Sequence, residues 1–300
     1  MSHANERAGL LWVLAGFCTL AIGDAIIKGM AGMWPAPAMA FTRYILAAIG
    51  LSAMLVAREG WGAFRMPRRG IQWLRGLGVS LGSVGMFTAV WLMPLADAIT
   101  ISFTQPMITA LLASLVLREP AKRASWVAAV IAFAGVVIVL RPNLAAAGWG
   151  ALLPLLSAFG MSMLMIANRS IVGQASVLAM QAYIALTASA ILLVAVVLGH
   201  LSGAPSLHMH WPEWSVWARC GFIAVSASFA HWFIYMGTVK AGAGNVAPMS
   251  YGQLLTAIVL GWIFFSEAPD PIALLGAAII VGAGLYLWRA GRVPAPPETE

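Results

Sequence analysis

Stretches of about 20 apolar residues recur along the whole sequence, and that is the length a helix needs to cross the hydrocarbon layer of a bilayer. The first runs from about Leu10 to Ile27. It is too long for the core of a cleavable signal. Of the 300 residues, 61% are hydrophobic and 9% are charged, against roughly 25% charged in soluble domains. Mean hydropathy is +0.89, which a water-facing surface would not tolerate. The chain reads as an all-α integral membrane protein that crosses the bilayer many times. Its 30 glycines suit helices that pack closely in lipid.

Ten candidate spans can be drawn, at about 9–28, 36–57, 72–93, 97–117, 124–141, 148–168, 177–199, 215–237, 244–265 and 271–289. The break at 169–176 is the weakest. The loops are short, and none is long enough for a soluble domain. The proline-rich tail at 290–300, ending VPAPPETE, reads as disordered. The net charge of +7 does not point to nucleic acid, because the basic residues sit in short turns and form no continuous face. Cys18 and Cys220 lie in or beside apolar runs and imply no disulfide framework.

Lysine and arginine placement sets the orientation. With a cytoplasmic N-terminus and ten alternating spans, the inner side holds Arg7, Arg58, Arg65, Arg68, Arg69, Arg75, Arg118, Lys122, Arg123, Arg169, Lys240, Arg289 and Arg292. These are 13 of the 17 basic residues, and only Lys28, Arg141 and Arg219 fall outside. Arg43 lies within the second span. Both termini are then expected in the cytoplasm of a bacterial-type inner membrane.

Two turns echo each other across the chain. LREPAKR at 117–123 matches FSEAPDP at 265–271 with an offset of 148, aligning Glu119 with Glu267, yet the second copy has lost every basic residue. Two five-span units explain this. An odd number of spans inserts the second unit upside down, so the repeated turn changes sides and the positive-inside rule strips its charge. The units are residues 1–141 and 148–289. The same offset pairs Phe87 with Tyr235, Asp97 with Asn245, Ser102 with Ser250, Phe103 with Tyr251, Gln105 with Gln253 and Leu112 with Leu260. Chance likeness between two hydrophobic helices is the plainer explanation of those pairs taken alone.

The stretch ADAITISFTQPMITALLASLVLREPAKRASWVAAVIAFAGVVIVL resembles the fourth and fifth helices of EamA-type repeats of the drug/metabolite transporter superfamily. The features that carry the likeness are Pro106, the small residues Ala110, Ala113 and Ser114, the Glu119 turn and Gly135. NVAPMSYGQLLTAIVLGWIFFSEAPDP looks like the second copy, and Arg43 resembles an arginine common in the family's second helix. Leu254 stands where the first copy has Pro106, with Pro248 six residues earlier. The resemblance implies ten helices in two inverted repeats and transport of small metabolites. Within the family the chain looks most like YddG-type exporters of aromatic and other neutral amino acids. The expected partners are therefore a small neutral or aromatic amino acid and the lipid bilayer, with no nucleic acid, no cofactor, no metal and no catalytic residue.

In carriers with inverted repeats the substrate site lies near the midplane, where repeat-related residues face one another. This makes Phe87, Phe103, Gln105, His231, Tyr235, Tyr251 and Gln253 candidate substrate-binding residues. Aromatic walls with a few amides suit a small amphiphile, and an amide facing lipid would lack partners. Packing between helices is the plainer role for any single aromatic residue. His231 shares a helix face with Tyr235 and lies near Ser228. It either lines the cavity as a proton acceptor or hydrogen-bond donor, or is satisfied by a neighbouring backbone. Trp91 reads as an interfacial anchor.

Arg43 needs a partner inside the membrane. A helix-fastening ion pair with Asp24 or Asp97 is expected ahead of a role in binding substrate. Asp24 and Lys28, four apart, are placed to pair with each other. Pro106, Pro154 and Pro248 mark expected bends, and residues 241–245 a flexible joint. An intramembrane enzyme is the rival class, but no serine lies in G-x-S-x-G and no H-E-x-x-H occurs. His208 and His210 form only an H-x-H pair. The scarcity of charged rings argues against an ion channel.

Overall fold

The computed structural model describes residues 3–116, 123–171, 173–241, 247–268 and 270–291, and these contain no strand. Helices α1 (His3–Lys28), α2 (Ala36–Glu59), α3 (Arg69–Leu92), α4 (Leu95–Ser102), α5 (Gln105–Val116) and α6 (Arg123–Ala147) come first. They are followed by α7 (Leu153–Arg169), α8 (Val177–Leu201), α9 (Trp214–Ala241), α10 (Tyr251–Phe265) and α11 (Pro271–Gly291). Among the described residues, seven helical stretches are long and apolar enough to cross a membrane, and Tyr251–Phe265 is apolar but shorter. The first copy of the echoed turn lies outside the described residues except for Arg123, as do Asn245, most of the 241–245 joint and the tail from 292.

Local chemistry sets the helix ends. Pro35 precedes α2 with its φ held at −60°, and Gly60 ends that helix at a φ of 78°, a left-handed conformation glycine adopts without strain. Ser176 starts α8, its side chain accepting the Ala179 N–H at 3.0 Å. Pro154 falls in the first turn of α7, where a missing N–H costs nothing, so it begins a helix and does not bend one.

The expected span at 97–117 is two helices. The chain turns at Phe103–Thr104 between α4 and α5. Pro106 has no N–H to offer the Ser102 carbonyl, and its ring crowds the preceding turn. The hydroxyls of Ser102 and Thr104 bond back to Ile99 O and Ile101 O at 2.7 and 2.8 Å, helping to stabilise the break. In the second half, the stretch before Gln253 is also irregular. A 3₁₀ turn at Ala247–Ser250 leads into α10 at Tyr251.

Helices pair closely where glycine removes side chains. A β-carbon on Gly78 of α3 would lie 2.6 Å from the Gly160 carbonyl oxygen of α7, and one on Gly160 would lie 2.5 Å from Gly78 O. Gly135 of α6 and Gly276 of α11 face each other in the same way, at 2.9 and 2.8 Å. In α1 and α9, Gly16 lies against the Ala230 carbonyl. The main partnerships are α1 with α9, α3 with α7, α6 with α11 and α2 with α8. Such contacts drive association where lipid supplies no hydrophobic force.

One corner is fastened by charge. Lys28, the last residue of α1, donates to Val90 O at 2.7 Å and Met93 O at 2.8 Å, the closing carbonyls of α3. Glu267 accepts the Leu95 N–H at 2.9 Å, the opening amide of α4. The two side chains meet at 2.7 Å. A cation thus covers a helix C-terminus and an anion a helix N-terminus, each matching the local dipole. Ser266 at a φ of 55° turns the chain so that Glu267 swings back, and Gly261 leaves room for its carboxylate. Lys28 therefore pairs with Glu267 and not with Asp24. It projects past the end of α1, while Asp24, one turn back, points to another helix.

Arg75 departs from its expected place among the cytoplasmic loop charges. It is buried within α3 and donates to Asn168 Oδ1 at 2.6 Å and Gln72 Oε1 at 2.5 Å, tying α3 to α7.

Candidate functional site

The helix break brings one expected pair together. Phe103, in the turn between α4 and α5, meets Tyr251, the first residue of α10, edge to face with ring centroids 5.4 Å apart. The Tyr251 hydroxyl donates to Val281 O of α11 at 3.2 Å and abuts Gly284. That commits this aromatic pair to joining α4, α10 and α11.

Gln253 lies two residues on, and so on the opposite face of α10. Its amide donates to Asp24 Oδ2 of α1 at 3.0 Å. Gln105 opens α5 with a half-buried side chain, and its carbonyl accepts from Ser162 of α7 at 3.0 Å. Phe87 of α3 is buried and lies under the Arg43 guanidinium of α2, 5.8 Å from ring centroid to Cζ. Tyr44 lies under the same cation at 5.1 Å, with its hydroxyl 3.0 Å from Ser83 Oγ. These contacts satisfy the ring quadrupoles but not the N–H donors of the cation.

The expected ion pair is not formed. Asp97 accepts from Asn143 at 2.9 Å, Asp24 accepts from Gln253, and Arg43 reaches neither carboxylate within 4.0 Å. The reason is directional: Asp97 sits in the first turn of α4, bonded to Asn143 of α6, while Arg43 lies about two turns into α2. His231 lies in the second half of α9, with its surface exposed. The side chain of Tyr235 lies outside the described part of the structure. Trp91 donates to Ile27 O at 2.8 Å, so its indole fastens α3 to α1.

Sequence reasoning missed the Asp24–Gln253 and Tyr44–Ser83 contacts. The sequence does carry one signal for the first, since a carboxylate and an amide lie within mainly apolar spans. The result is a bundle of apolar helices, with a turn at Phe103–Thr104 between α4 and α5 and a 3₁₀ turn running into α10 at Tyr251. This is the build of a membrane carrier.

The sequence matches the EamA-like transporter family twice, over residues 7–141 and 148–288, and the chain belongs to that family. It is 27% identical over 281 residues to an S-adenosylmethionine uptake transporter of Rickettsia prowazekii, covering 93% of this chain and 92% of that protein. It is 26% identical to a riboflavin transporter of Rhizobium johnstonii, covering 94% and 91%. A solved crystal structure with 22% sequence identity shares the fold, with a TM-score of 0.58 over 96% of this chain and 98% of its own. The protein is a transporter and not an enzyme, and it is a multi-pass protein of the inner membrane.

Proposed function

We propose that the protein carries a small amphiphilic metabolite across the inner membrane by alternating access, using ten spans in two inverted five-helix repeats with both termini cytoplasmic. The observation that carries this reading is a paired irregularity, a turn in the first half and a 3₁₀ stretch entering a helix in the second. The α4–α5 turn at Phe103 and the start of α10 at Tyr251 stand 148 residues apart, the same offset as the echoed turns. Broken helices near the midplane are where inverted-repeat carriers hold their substrates.

The helix partnerships support the same symmetry. If the first five spans are α1, α2, α3, α4–α5 and α6, exchanging the repeats turns the α1–α9 contact into α7–α3. It also turns α1–α10 into α7–α5 and leaves α2–α8 and α6–α11 in place. All of these contacts occur. Within this arrangement Phe87, Gln105, His231 and Gln253 are proposed to line the path. Phe103 and Tyr251 are proposed to hold the break. Tyr235 keeps its proposed place by its pairing with Phe87.

The substrate class is drawn from relatives named for S-adenosylmethionine and riboflavin. Neutral amino-acid export, the narrower expectation from sequence, is not the activity named for either of them and becomes one arm of the test. Proteoliposomes preloaded with S-adenosylmethionine, riboflavin or phenylalanine should show saturable exchange of at least one label. Absence of saturable exchange for all three overturns the carrier reading. Inversion is tested separately, with cysteines at 121 and 268 in a protein whose Cys18 and Cys220 are replaced by alanine. They should label from opposite sides, and labelling from one side refutes the inverted repeat.

A further inference from the structure

We propose that His200 and His208 form a two-histidine site for a divalent transition-metal ion of the zinc or copper class, which clasps the loop at 202–209 onto the end of α8. The inference goes beyond the carrier reading and does not depend on it.

The turn after α8 makes the pair. His200 lies in the last turn of that helix. Gly203 then takes a φ of 73°, a left-handed conformation that glycine adopts without strain, and the chain doubles back. A short 3₁₀ turn at Pro205–Leu207 follows, and His208 ends it. A β-carbon on Gly199 would stand 3.3 Å from the Leu207 Cβ, so the returning chain lies against the helix it has just left. The two imidazole rings come to rest with centroids 4.8 Å apart, tilted by 56°. Spacing along the chain hid this pair, because the eight residues between the two positions cross a turn.

That separation fits one shared ion. With N–metal bonds of about 2.0–2.1 Å and angles of about 90–110°, two imidazoles on one metal hold their ring centres about 4.5–5.2 Å apart. The nitrogens are also prepared. The Met209 N–H donates to His200 Nδ1 at 3.1 Å, so that nitrogen carries no proton and its lone pair faces the returning loop. A metal takes the same lone pair, and the N–H it displaces is exposed to water. Among the described residues no hydrogen bond engages the His208 ring. Both side chains are exposed, so an ion can reach them. His210 turns elsewhere. Its Nε2 lies 3.2 Å from Met33 O, and its carbonyl accepts from Trp34 Nε1 at 2.9 Å. The H-x-H pair is thus divided, His210 fastening the loop to the α1–α2 turn and His208 facing α8.

Among the described residues no group of three or more His, Cys, Asp or Glu side chains gathers to hold a metal. The ion therefore keeps water in its remaining positions, which makes the site open and exchangeable. Imidazole suits zinc and copper, whereas magnesium and calcium seek oxygen ligands.

The test is calorimetric titration of the detergent-solubilised full chain, purified through a histidine-free tag, with zinc, copper(II) and magnesium chlorides. A single zinc or copper ion should bind, copper more tightly, and magnesium should not. His200→Gln and His208→Gln should each weaken zinc by at least about tenfold, while His210→Gln leaves it unchanged. Both positions are exposed, so the variants should fold, and a monodisperse elution peak checks this. Bound copper should show nitrogen hyperfine coupling in its electron paramagnetic resonance spectrum, lost in the His200→Gln/His208→Gln double variant. Zinc should slow amide hydrogen exchange across 202–209 in the wild type and not in the double variant. Undiminished zinc binding by the folded double variant overturns the site, as does a wild type that takes up no zinc at micromolar concentration. Binding without slower exchange at 202–209 overturns the clasp.

Discussion

The Lys28–Glu267 corner is open to a quantitative test. Both side chains are largely shielded, with 10% and 21% of their surface exposed, and the ion pair closes at 2.7 Å. Breaking a fully buried pair by removing one partner costs about 3–5 kcal/mol. Partial exposure places this one lower, at about 2–3 kcal/mol. The two single changes should not be equal. Glu267→Gln keeps an oxygen for the Leu95 N–H and loses only the charge. Lys28→Met leaves Glu267 unpaired and also strips the donor from Val90 O and Met93 O. Glu267→Gln should therefore cost about 2 kcal/mol and Lys28→Met about 3. At about 2–4 °C per kcal/mol for larger chains, the midpoint should fall by about 4–8 °C in the first and about 6–12 °C in the second. The double variant should recover part of the sum, giving a coupling of about 1–2 kcal/mol. The assay is thermal unfolding in detergent, followed by tryptophan fluorescence, with all four proteins at one lipid and salt concentration. Strict additivity, or equal losses from the two single changes, would refute the reading that charge and helix ends act here as one unit.

Two further changes probe the packing. A side chain on Gly276 meets the Gly135 carbonyl at 2.8 Å, whereas Gly282 on the same helix has nothing within 4 Å. Gly276→Leu should cost about 3 kcal/mol by overpacking and lower the monodisperse yield, with Gly282→Leu near wild type; equal yields would deny close α6–α11 contact. Tyr251→Phe keeps the ring against Phe103 and loses the bond to Val281 O. It should lower stability by about 1 kcal/mol without changing exchange per folded molecule, and a selective loss of exchange would return Tyr251 to the substrate path.

Much of the helical layout was legible because hydropathy is a local property. Each apolar run is long enough to demand internal backbone bonding, and turn residues such as Gly60 and Pro35 mark the ends. The 148-residue offset anticipated the Phe103–Tyr251 contact, since a repeat carries its positions with it. In the fold the pair packs edge to face and Tyr251 bonds Val281 O, because which face of α10 a residue takes depends on the turn before it. The break itself was half legible. Pro106 announced a bend, but a full turn at Phe103–Thr104 also needed Ser102 and Thr104 to bond back to the chain.

By itself the sequence determined a many-helix membrane chain with two echoing halves, because the pattern of apolar length and basic loops needs no neighbour to be read. Only the tertiary structure decided where the charges go. Spacing of four suggested Asp24 with Lys28, and scarcity suggested Arg43 with Asp24 or Asp97. In the fold Lys28 closes on Glu267, Asp97 on Asn143 and Asp24 on Gln253, leaving Arg43 with two rings. These partners are 239, 46 and 229 residues apart, distances taken from their positions in the chain. A charge in a low-dielectric interior is paired by whichever group the helix packing carries to it, and that packing is set by glycine contacts spread over the whole bundle.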